Sequence, residues 1–185
     1  LKGEYPPGST VKPLMGLAGL ENKVITWKDT VFDPGYFRLG GAAHLYRDWK
    51  KEGHGVVDLH KAIVQSCDVY FYTLANKLGI ERIANFLRPF GFGQSTEIDM
   101  PGERVGVLPS SAWKRARLGQ VWYPGETIIT GIGQGFLLVT PLQLATVAAQ
   151  IANRGVHVTP KMVYLPESLR PKSKNPHPTV KSDQW

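Results

Sequence analysis

Cysteine is almost absent from this sequence, since Cys67 is the only one among 185 residues. A single cysteine excludes an internal disulfide, so the fold cannot depend on a disulfide framework. This fits a reducing compartment, and it fits equally a protein outside the cytoplasm whose thiol is buried or bound to a metal. Long hydrophobic runs are lacking as well, because no apolar stretch approaches the roughly 18 residues expected of a membrane-spanning helix.

Negative charge is scarcer than positive charge, with 15 Asp and Glu against 22 Lys and Arg and a formal net charge of +7. Such a balance favours anionic partners. The basic residues form short scattered clusters (KRAR, RPKSK, RDWKK) instead of one stripe interleaved with aromatic residues, so no nucleic-acid-binding surface is predicted. A solvated face, or a face close to anionic lipid or polymer, accounts for the charge.

Helical periodicity is clear in four stretches. It predicts helices over about Thr10–Leu20, Asp58–Leu78, residues 80–93 and residues 140–155. The last is the best defined, because Thr140 is a suitable N-cap, Pro141 takes the first helical position and Gln143 completes a capping box. Gly155 ends this helix.

The remaining segments are rich in turn-forming residues. Residues 22–57 are predicted to form a long loop with short strands, and loops of this length are usually functional or held by a metal. Residues 90–130 have turns and several short segments, and residues 166–185 are a polar, proline-rich stretch predicted to be a flexible connector. The abrupt termini, LKGEYPP and KSDQW, predict a piece of a longer protein.

The stretch YPPGSTVKP, residues 5–13, places Ser9 three positions before Lys12 at the start of the first predicted helix. Side chains three residues apart lie on the same helix face, so the amine can reach the hydroxyl. A serine becomes a nucleophile when a base takes its proton, and a lysine can act as that base when burial or charge lowers its pKa. The alternative is a helix N-cap followed by a solvated lysine.

Three further stretches decide between these interpretations: SCD at 66–68, TGIGQGFLLVTPLQLA at 130–145 and ANRGVHVTPKMV at 152–163. In this order, behind YPPGSTVKP, they resemble the transpeptidase domain of class B penicillin-binding proteins. FDPG, YRDWKKEGHG and WYPGETIITGIGQG favour the rod-shape (elongation) subgroup of that family. The resemblance covers residues 1–165. It implies an α+β fold of the serine β-lactamase/D,D-peptidase type, of which this chain holds mostly the helical part.

The resemblance also implies a role for each matching residue. Ser9 would attack a D-alanyl-D-alanine peptide bond and form an acyl-enzyme, with Lys12 as general base. Ser66 would relay the proton toward the leaving D-alanine, and Asp68 would hold and partly neutralise Lys12. The amine of a neighbouring peptidoglycan stem peptide would then take the acyl group, and β-lactams would acylate the same serine.

One element of the family pattern is missing from the sequence. The Lys-Thr/Ser-Gly strand, which docks the substrate carboxylate and supplies part of the oxyanion hole, does not occur in these 185 residues. We therefore expect a partial domain that is inactive on its own. Alternative functions are a serine β-lactamase or D,D-carboxypeptidase, or a non-catalytic penicillin-binding sensor. The deacylating Glu-x-x-x-Asn spacing occurs at Glu81–Asn85, but within an amphipathic helix, which argues against a β-lactamase.

A set of zinc-type ligands accompanies the long loop. The resemblance to the rod-shape subgroup implies a structural zinc held by Asp33, Asp48, His54 and Cys67. Four protein ligands leave no position for a reactive water. The alternative for Cys67 is a small core residue, and His44 and His60 are expected to be solvated or capping residues.

The resemblance further implies partners and a location. It predicts an inner-membrane protein, anchored outside these residues, whose domain faces the periplasm beside a SEDS-family glycan polymerase and other elongation proteins.

Three other features of the sequence are interpreted as structural and not as parts of a functional site. GIGQG lacks the spacing and the lysine of a phosphate loop and is predicted to be a tight turn under the active site. The basic run KRAR is predicted to be a solvated face. Five aromatic residues are predicted to pack in the core or in loops rather than to line a groove: Trp27, Trp49, Trp113, Trp122 and Tyr123.

Overall fold

A computed structural model of the chain describes residues 1–164, 166–169 and 179–184. Its α-helices are α1 (Lys12–Glu21), α2 (Leu59–Val64), α3 (Asp68–Leu78), α4 (Ile80–Leu87), α5 (Ser111–Leu118), α6 (Pro124–Thr130) and α7 (Pro141–Ala152). Its strands are β1 (Val31–Asp33), β2 (Tyr36–Arg38), β3 (Leu45–Arg47) and β4 (Gly55–Val57). Short 3₁₀ turns occupy Gly8–Val11, Arg88–Phe90 and Glu167–Leu169. Helices therefore dominate and the sheets are small, as the α+β prediction required.

The chain divides into two compact units. One consists of Leu1–Tyr5, Phe86–Leu108 and Leu138–Trp185, and the other of Pro6–Asn85 and Pro109–Leu137. The second unit contains all the residues singled out above for catalysis or metal binding.

Helix α3 is the centre of the second unit. Most of its residues are buried, on more than one face: Val69, Tyr70, Phe71, Tyr72, Leu74, Ala75 and Leu78. Small neighbours allow α1 and the end of α6 to approach it closely. A Cβ at Gly19 of α1 would lie 2.8 Å from Leu74, and one at Gly131, directly after α6, would lie 2.5 Å from Cβ of Ala75. The close packing holds α1, which carries Lys12, and the segment directly after α6 against α3, which begins at Asp68.

The helix predicted over Asp58–Leu78 is in fact two helices, α2 and α3, so that prediction was wrong. Ser66 has a φ of 54°, a left-handed value that interrupts the hydrogen-bond ladder. Cys67 is extended and is the N-cap of α3, and its Sγ accepts from Tyr70 N at 3.4 Å. Hydrophobic periodicity cannot detect a single residue with positive φ. The break places Ser66 and Cys67 outside regular helix, and Asp68 is the first residue of α3.

The loop over residues 22–57 contains two antiparallel strand pairs, as predicted. The outer pair joins β1 to β4, with Phe32 opposite Val56, and the inner pair joins β2 to β3, with Phe37 opposite Tyr46. Gly53 makes the closure possible, since a Cβ there would lie 2.1 Å from the carbonyl oxygen of Asp33.

Two helices, α5 and α6, lie in the region predicted to be rich in turns. Helix α5 begins after the N-cap Ser110, whose hydroxyl accepts from Trp113 N at 3.0 Å, and ends at the left-handed Gly119. It carries the KRAR run, which is only partly solvated. Arg115 and Arg117 are exposed, but Lys114 is 1% exposed, so the prediction of a solvated face was wrong for that residue.

In the first unit, α7 has the predicted capping box. Gln143 N donates to Thr140 Oγ1 at 3.1 Å, and Thr140 N donates to Gln143 Oε1 at 2.8 Å. Half of the connector predicted over residues 166–185 lies outside the described residues. Among its described residues, Val180 N donates to the carbonyl oxygen of Gly155 at 3.0 Å. No helix among the described residues is both long enough and apolar enough to cross a membrane.

Candidate active site and metal-binding cluster

Ser9 lies in the 3₁₀ turn Gly8–Val11, which continues directly into α1 at Lys12. A 3₁₀ helix has three residues per turn, so positions 9 and 12 project to the same side. Gly8 N donates to the carbonyl oxygen of Gly133 at 2.9 Å, which holds the turn in place. Ser9 is exposed, whereas Lys12 is 1% exposed.

The amine of Lys12 is bound to the SCD motif. Lys12 Nζ donates to Asp68 Oδ1 at 2.6 Å, to the carbonyl oxygen of Ser66 at 2.8 Å and to Ser66 Oγ at 3.0 Å. It also lies 5.5 Å from the centre of the Phe71 ring. These bonds match the three donors of an ammonium group, so the alternative of a solvated lysine is excluded.

Ser66 lies between the amine and the candidate nucleophile. Its Oγ donates to Ser9 Oγ at 2.9 Å, so the hydrogen bonds run from Lys12 to Ser66 and from Ser66 to Ser9. The spacing of Ser9 and Lys12 predicted direct contact, and the described bonds instead pass through Ser66. Ser66 has a left-handed backbone and lies between α2 and α3, and its hydroxyl lies between the Lys12 amine and the Ser9 hydroxyl.

Ser9, Ser66 and Asp68 open onto a cleft of about 360 Å³. Its other lining residues are Gly8, Trp49, Ile132 and Gln134. Two of these belong to the predicted glycine turn, which therefore forms part of the cleft wall.

Trp49 is a site residue that sequence reasoning missed. It was assigned to packing, but it is 63% exposed and lines the cleft. Its backbone N donates to Asp68 Oδ2 at 3.3 Å, and its indole Nε1 donates to the carbonyl oxygen of Gln65 at 3.1 Å. The available signal was its position next to Asp48, a predicted metal ligand.

Glu81 does not line the Ser9 cleft. Its carboxylate accepts a hydrogen bond from Ser111 N at 3.1 Å, beside the start of α5. The position agrees with the sequence argument that Glu81–Asn85 is not a deacylating loop.

The four predicted metal ligands form a cluster behind the site. Their ligand atoms all lie within 4.8 Å of one another, and all four side chains are buried: Asp33, Asp48, His54 and Cys67. His54 Nδ1 lies 2.6 Å from Asp33 Oδ2 and 3.6 Å from Asp48 Oδ1. Cys67 Sγ donates to Asp33 Oδ2 at 3.3 Å. His44 and His60 are outside the cluster, as predicted.

The electrostatics of the cluster suit a cation. Burial alone would raise the pKa of Asp33, but hydrogen bonds from His54, from Gly35 N and from Cys67 lower it overall. Burial raises the pKa of the Cys67 thiol, and the charges of Asp33 and Asp48 add to the increase. Two adjacent buried carboxylates are costly without positive charge, and carboxylate, imidazole and thiolate are the ligands that zinc prefers. The residues therefore fit a structural zinc ion.

The cluster and the candidate active site share two chain segments. Cys67 stands between Ser66 and Asp68, and Asp48 stands immediately before Trp49. Asp48 Oδ2 also accepts from Val69 N at 3.1 Å, in the first turn of α3. A metal ion bound at the cluster would therefore hold in place the two backbone segments that carry Ser66, Asp68 and Trp49.

Known proteins resemble the chain over most of its length. A family model of the penicillin-binding protein transpeptidase domain matches residues 1–184. The peptidoglycan D,D-transpeptidase MrdA of Acinetobacter baumannii is 47% identical over 171 residues, which are 92% of this chain and 25% of the relative. The corresponding MrdA of Escherichia coli K12 is 41% identical over 162 residues. The chain thus spans about a quarter of the length of these curated relatives.

Solved structures agree. The crystal structure of Pseudomonas aeruginosa PBP2 in complex with WCK 5153 matches with a TM-score of 0.93 and 49% identity, covering 97% of this chain and 41% of that chain. The complex between PBP2 and MreC from Helicobacter pylori matches with a TM-score of 0.81 and 46% identity, covering 86% and 29%. The α+β fold and the rod-shape subgroup inferred from the motifs are confirmed. The chain belongs to the penicillin-binding protein transpeptidase family and is similar to its PBP2 (MrdA) members.

Proposed function

We propose that the protein containing this chain is a peptidoglycan D,D-transpeptidase with Ser9 as its nucleophile, and a covalent target of β-lactams. The observation that carries the proposal is the run of hydrogen bonds from a buried amine to an exposed hydroxyl. Lys12 Nζ is 3.0 Å from Ser66 Oγ, which is 2.9 Å from Ser9 Oγ at the cleft surface.

The reaction has two acyl-transfer steps. Ser9 Oγ attacks the carbonyl carbon of the penultimate D-alanine and loses its proton, the peptide bond breaks, and the terminal D-alanine leaves with a proton on its amine. The amine of a second stem peptide then attacks the ester carbonyl carbon. The amide bond forms as the ester C–O bond to Ser9 breaks, and the proton lost by the amine is returned to Ser9 Oγ. Both steps need a base beside Ser9, and such a base contributes about 10²–10⁴-fold in rate.

The proton path uses the two hydroxyl groups in series. Hydroxyl hydrogens rotate to suit their acceptors, so Ser9 can donate to Ser66 while Ser66 donates to a neutral Lys12. Asp68 fixes the amine from the other side at 2.6 Å. In this arrangement Ser66 first passes the proton of Ser9 to Lys12, and it then passes a proton toward the leaving amine.

Substrate docking requires a part of the family pattern that this sequence lacks. The Lys-Thr/Ser-Gly strand does not occur in residues 1–185. The test should therefore use the whole protein as its cell makes it.

Fluorescent-penicillin labelling tests the nucleophile. Stable labelling of the unsubstituted protein that is lost in Ser9→Ala, and retained in the matched control Ser111→Ala outside the cleft, would support the proposal. Label that is quickly released would identify a β-lactamase or carboxypeptidase instead. Absence of labelling would overturn the catalytic role of Ser9.

A second assay separates a transpeptidase from a penicillin-binding sensor. A stem peptide ending in D-alanyl-D-alanine and an amine acceptor peptide are incubated with the protein, and the cross-linked product is followed by mass spectrometry. Product that disappears in Ser9→Ala supports turnover. A protein that labels with penicillin but forms no product would be a sensor.

We further propose that Asp33, Asp48, His54 and Cys67 hold a structural zinc ion. The support is the buried donor set, whose ligand atoms lie within 4.8 Å of one another. The ion would stabilise the loop that carries Asp48 and Trp49 against the start of α3, and it takes no part in the chemical steps.

Metal analysis tests this assignment. The purified protein is expected to contain about one zinc per chain, as four-ligand structural sites do, and chelation should lower its melting temperature. Cys67→Ser should lose the metal, whereas His44→Ala, a histidine outside the cluster, should keep it. A protein free of zinc whose stability is unaffected by Cys67→Ser would contradict the assignment.

We infer that the protein works at the inner membrane with this domain in the periplasm, beside a SEDS-family glycan polymerase and elongation proteins. The support is the similarity to PBP2 proteins, one of which was solved in complex with MreC. The proposal includes a membrane anchor outside residues 1–185, as the similarity on which it rests implies. Membrane fractionation with protease treatment of intact spheroplasts tests the location, and co-purification in detergent tests the polymerase contact.

A further inference from the structure

A second buried lysine lies outside the candidate active site. Lys114 of α5 is 1% exposed, and its amine is bound to the carboxylate of Glu126. Three aromatic rings surround the amine, with ring centres at 4.7 Å for Tyr123, 5.5 Å for Phe136 and 6.0 Å for Trp122. The mechanism proposed above does not use this group.

The contacts of Lys114 join both ends of one chain segment, residues 123–136. Glu126 lies in the first turn of α6, where its other carboxylate oxygen accepts from Tyr123 N at 2.7 Å. Phe136 follows Gly135 at the far end of the segment. A single buried cation therefore contacts the segment where it begins and where it ends.

The middle of this segment contacts the nucleophile turn. The carbonyl oxygen of Gly133 accepts from Gly8 N at 2.9 Å, and Gly8 immediately precedes Ser9. A Cβ at Gly133 would lie 2.2 Å from the carbonyl oxygen of Gly8, so the two backbones are in close contact. Ile132 and Gln134, on either side of Gly133, line the cleft.

Stability alone is a weak reason for an ion pair at this position between a buried lysine and a partly buried glutamate. The desolvation of two charges offsets most of their attraction, and apolar replacements of similar volume are often neutral or stabilising. A pair with fixed geometry can, however, set the position of the elements that it joins. The fixed element here is the turn over residues 131–135.

We propose that Lys114 is a positioning residue for Ser9, acting through Glu126 and Phe136 on the glycine turn that holds Gly8. This inference rests on the proposed acyl transfer at Ser9. It implies that a residue of α5, which does not line the cleft, affects the rate at which Ser9 is acylated.

The test measures acylation of the whole protein by a fluorescent penicillin over a range of concentrations, which separates the limiting acylation rate from the half-saturating concentration. Lys114→Met should lower the limiting rate about ten- to a hundredfold, the loss expected when a reacting group is displaced by about 1 Å. The half-saturating concentration should change little, and Lys114→Arg should restore most of the rate. Lys77→Met, at an exposed position of α3, is the matched control.

A double variant separates positioning from folding. Lys114→Met with Glu126→Gln removes both charges, so its melting temperature should approach that of the unsubstituted protein while its limiting rate stays low. A double variant with an unchanged limiting rate, whatever the melting temperatures, would overturn the inference and leave the proposed function intact. No labelling of the unsubstituted protein would instead overturn the proposed function and this inference with it.

Discussion

Lys12 is buried although a charged amine loses favourable hydration when it leaves water. The structure compensates with a carboxylate, a carbonyl and a hydroxyl within 3.0 Å of the nitrogen. Two of these groups belong to Ser66 and the third to Asp68, so one short motif supplies all three. A lysine paired in this way is held at a defined position, which is the first requirement of a general base.

Replacing Lys12 by methionine keeps the side-chain volume and removes the amine. We expect the penicillin acylation rate to fall by about 10²–10⁴-fold, the usual contribution of general-base catalysis. Stopped-flow or time-resolved gel labelling of the whole protein measures the rate. Lys51→Met, at an exposed position near Trp49, should leave it unchanged, and equal losses in both variants would argue against a specific role for Lys12.

Ser66 combines a left-handed backbone with a bridging hydroxyl, and two substitutions separate these properties. Ser66→Gly and Ser66→Ala both remove the hydroxyl, so both should lose most of the acylation rate. Only alanine is strained at a φ of 54°, so Ser66→Ala should be less stable than Ser66→Gly by about 1 kcal/mol. Urea unfolding measures the difference. Equal stabilities would show that the backbone relaxes away from the left-handed conformation.

Among the elements, the turn over residues 131–135 depends most on glycine. Gly133 has a φ of 72°, and a Cβ there would lie 2.2 Å from the Gly8 carbonyl oxygen. Gly119, at the end of α5, has a similar φ of 66°, but nothing lies within 4 Å of its Cβ position. The pair therefore distinguishes backbone strain from steric overlap.

Gly119→Ala should cost about 1 kcal/mol of stability and leave acylation intact, because only the left-handed conformation opposes it. Gly133→Ala should cost more and also lower the acylation rate, since the turn has to move away from Gly8. Thermal unfolding and penicillin labelling provide the two readouts. A Gly133→Ala variant that behaves like Gly119→Ala would show that the contact between the turn and Gly8 is dispensable.

Four helices show where sequence patterns predict an element correctly and where they miss one. The capping box of α7 was predicted because Thr140, Pro141 and Gln143 act locally, through bonds between neighbouring residues. Helices α5 and α6 were missed because each is short and lacks the clear apolar stripe that predicted α4, which is also only eight residues long. The buried residue of α5 is Lys114, and a hydrophobic pattern cannot detect a lysine that is buried. Its burial depends on Glu126 and three aromatic rings from elsewhere in the chain.

At the scale of the whole molecule, acid stability should depend in part on Asp99. Its carboxylate accepts from Met162 N at 2.6 Å and from Val163 N at 3.1 Å, and these bonds lower its pKa. A group whose pKa is lower in the folded state than in the unfolded state stabilises the fold above the unfolded pKa. That contribution is lost as the pH falls through the folded pKa.

Asp99→Asn should therefore reduce stability at neutral pH and have less effect as the pH falls below about 4, the pKa of an unperturbed aspartate. Urea midpoints between pH 7 and pH 3 measure the difference from the unsubstituted protein. Asp183→Asn, at an exposed position, should show no such trend. A difference that grows toward low pH would have the wrong sign for this account.

The sequence by itself determined the identity of the chemical groups and their order along the chain. Ser9, Lys12, Ser66 and Asp68 as proposed catalytic residues, and Asp33, Asp48, His54 and Cys67 as proposed zinc ligands, were selected before any geometry, from sequence motifs and from the family resemblance that those motifs carry. The same patterns led to the family and to the α+β class. The break at Ser66 was not visible, because a single left-handed residue does not disturb hydrophobic periodicity.

Only the tertiary structure decided how those groups meet. It placed Ser66 between Lys12 and Ser9, put Trp49 on the cleft wall and buried Lys114 against Glu126. Each of these contacts joins residues distant in sequence, and each depends on the packing of α1, α5 and α6 and on the backbone between α2 and α3. Local patterns reflect the preferences of neighbouring residues, whereas the position of a side chain in a site depends on which distant surfaces fill the space around it.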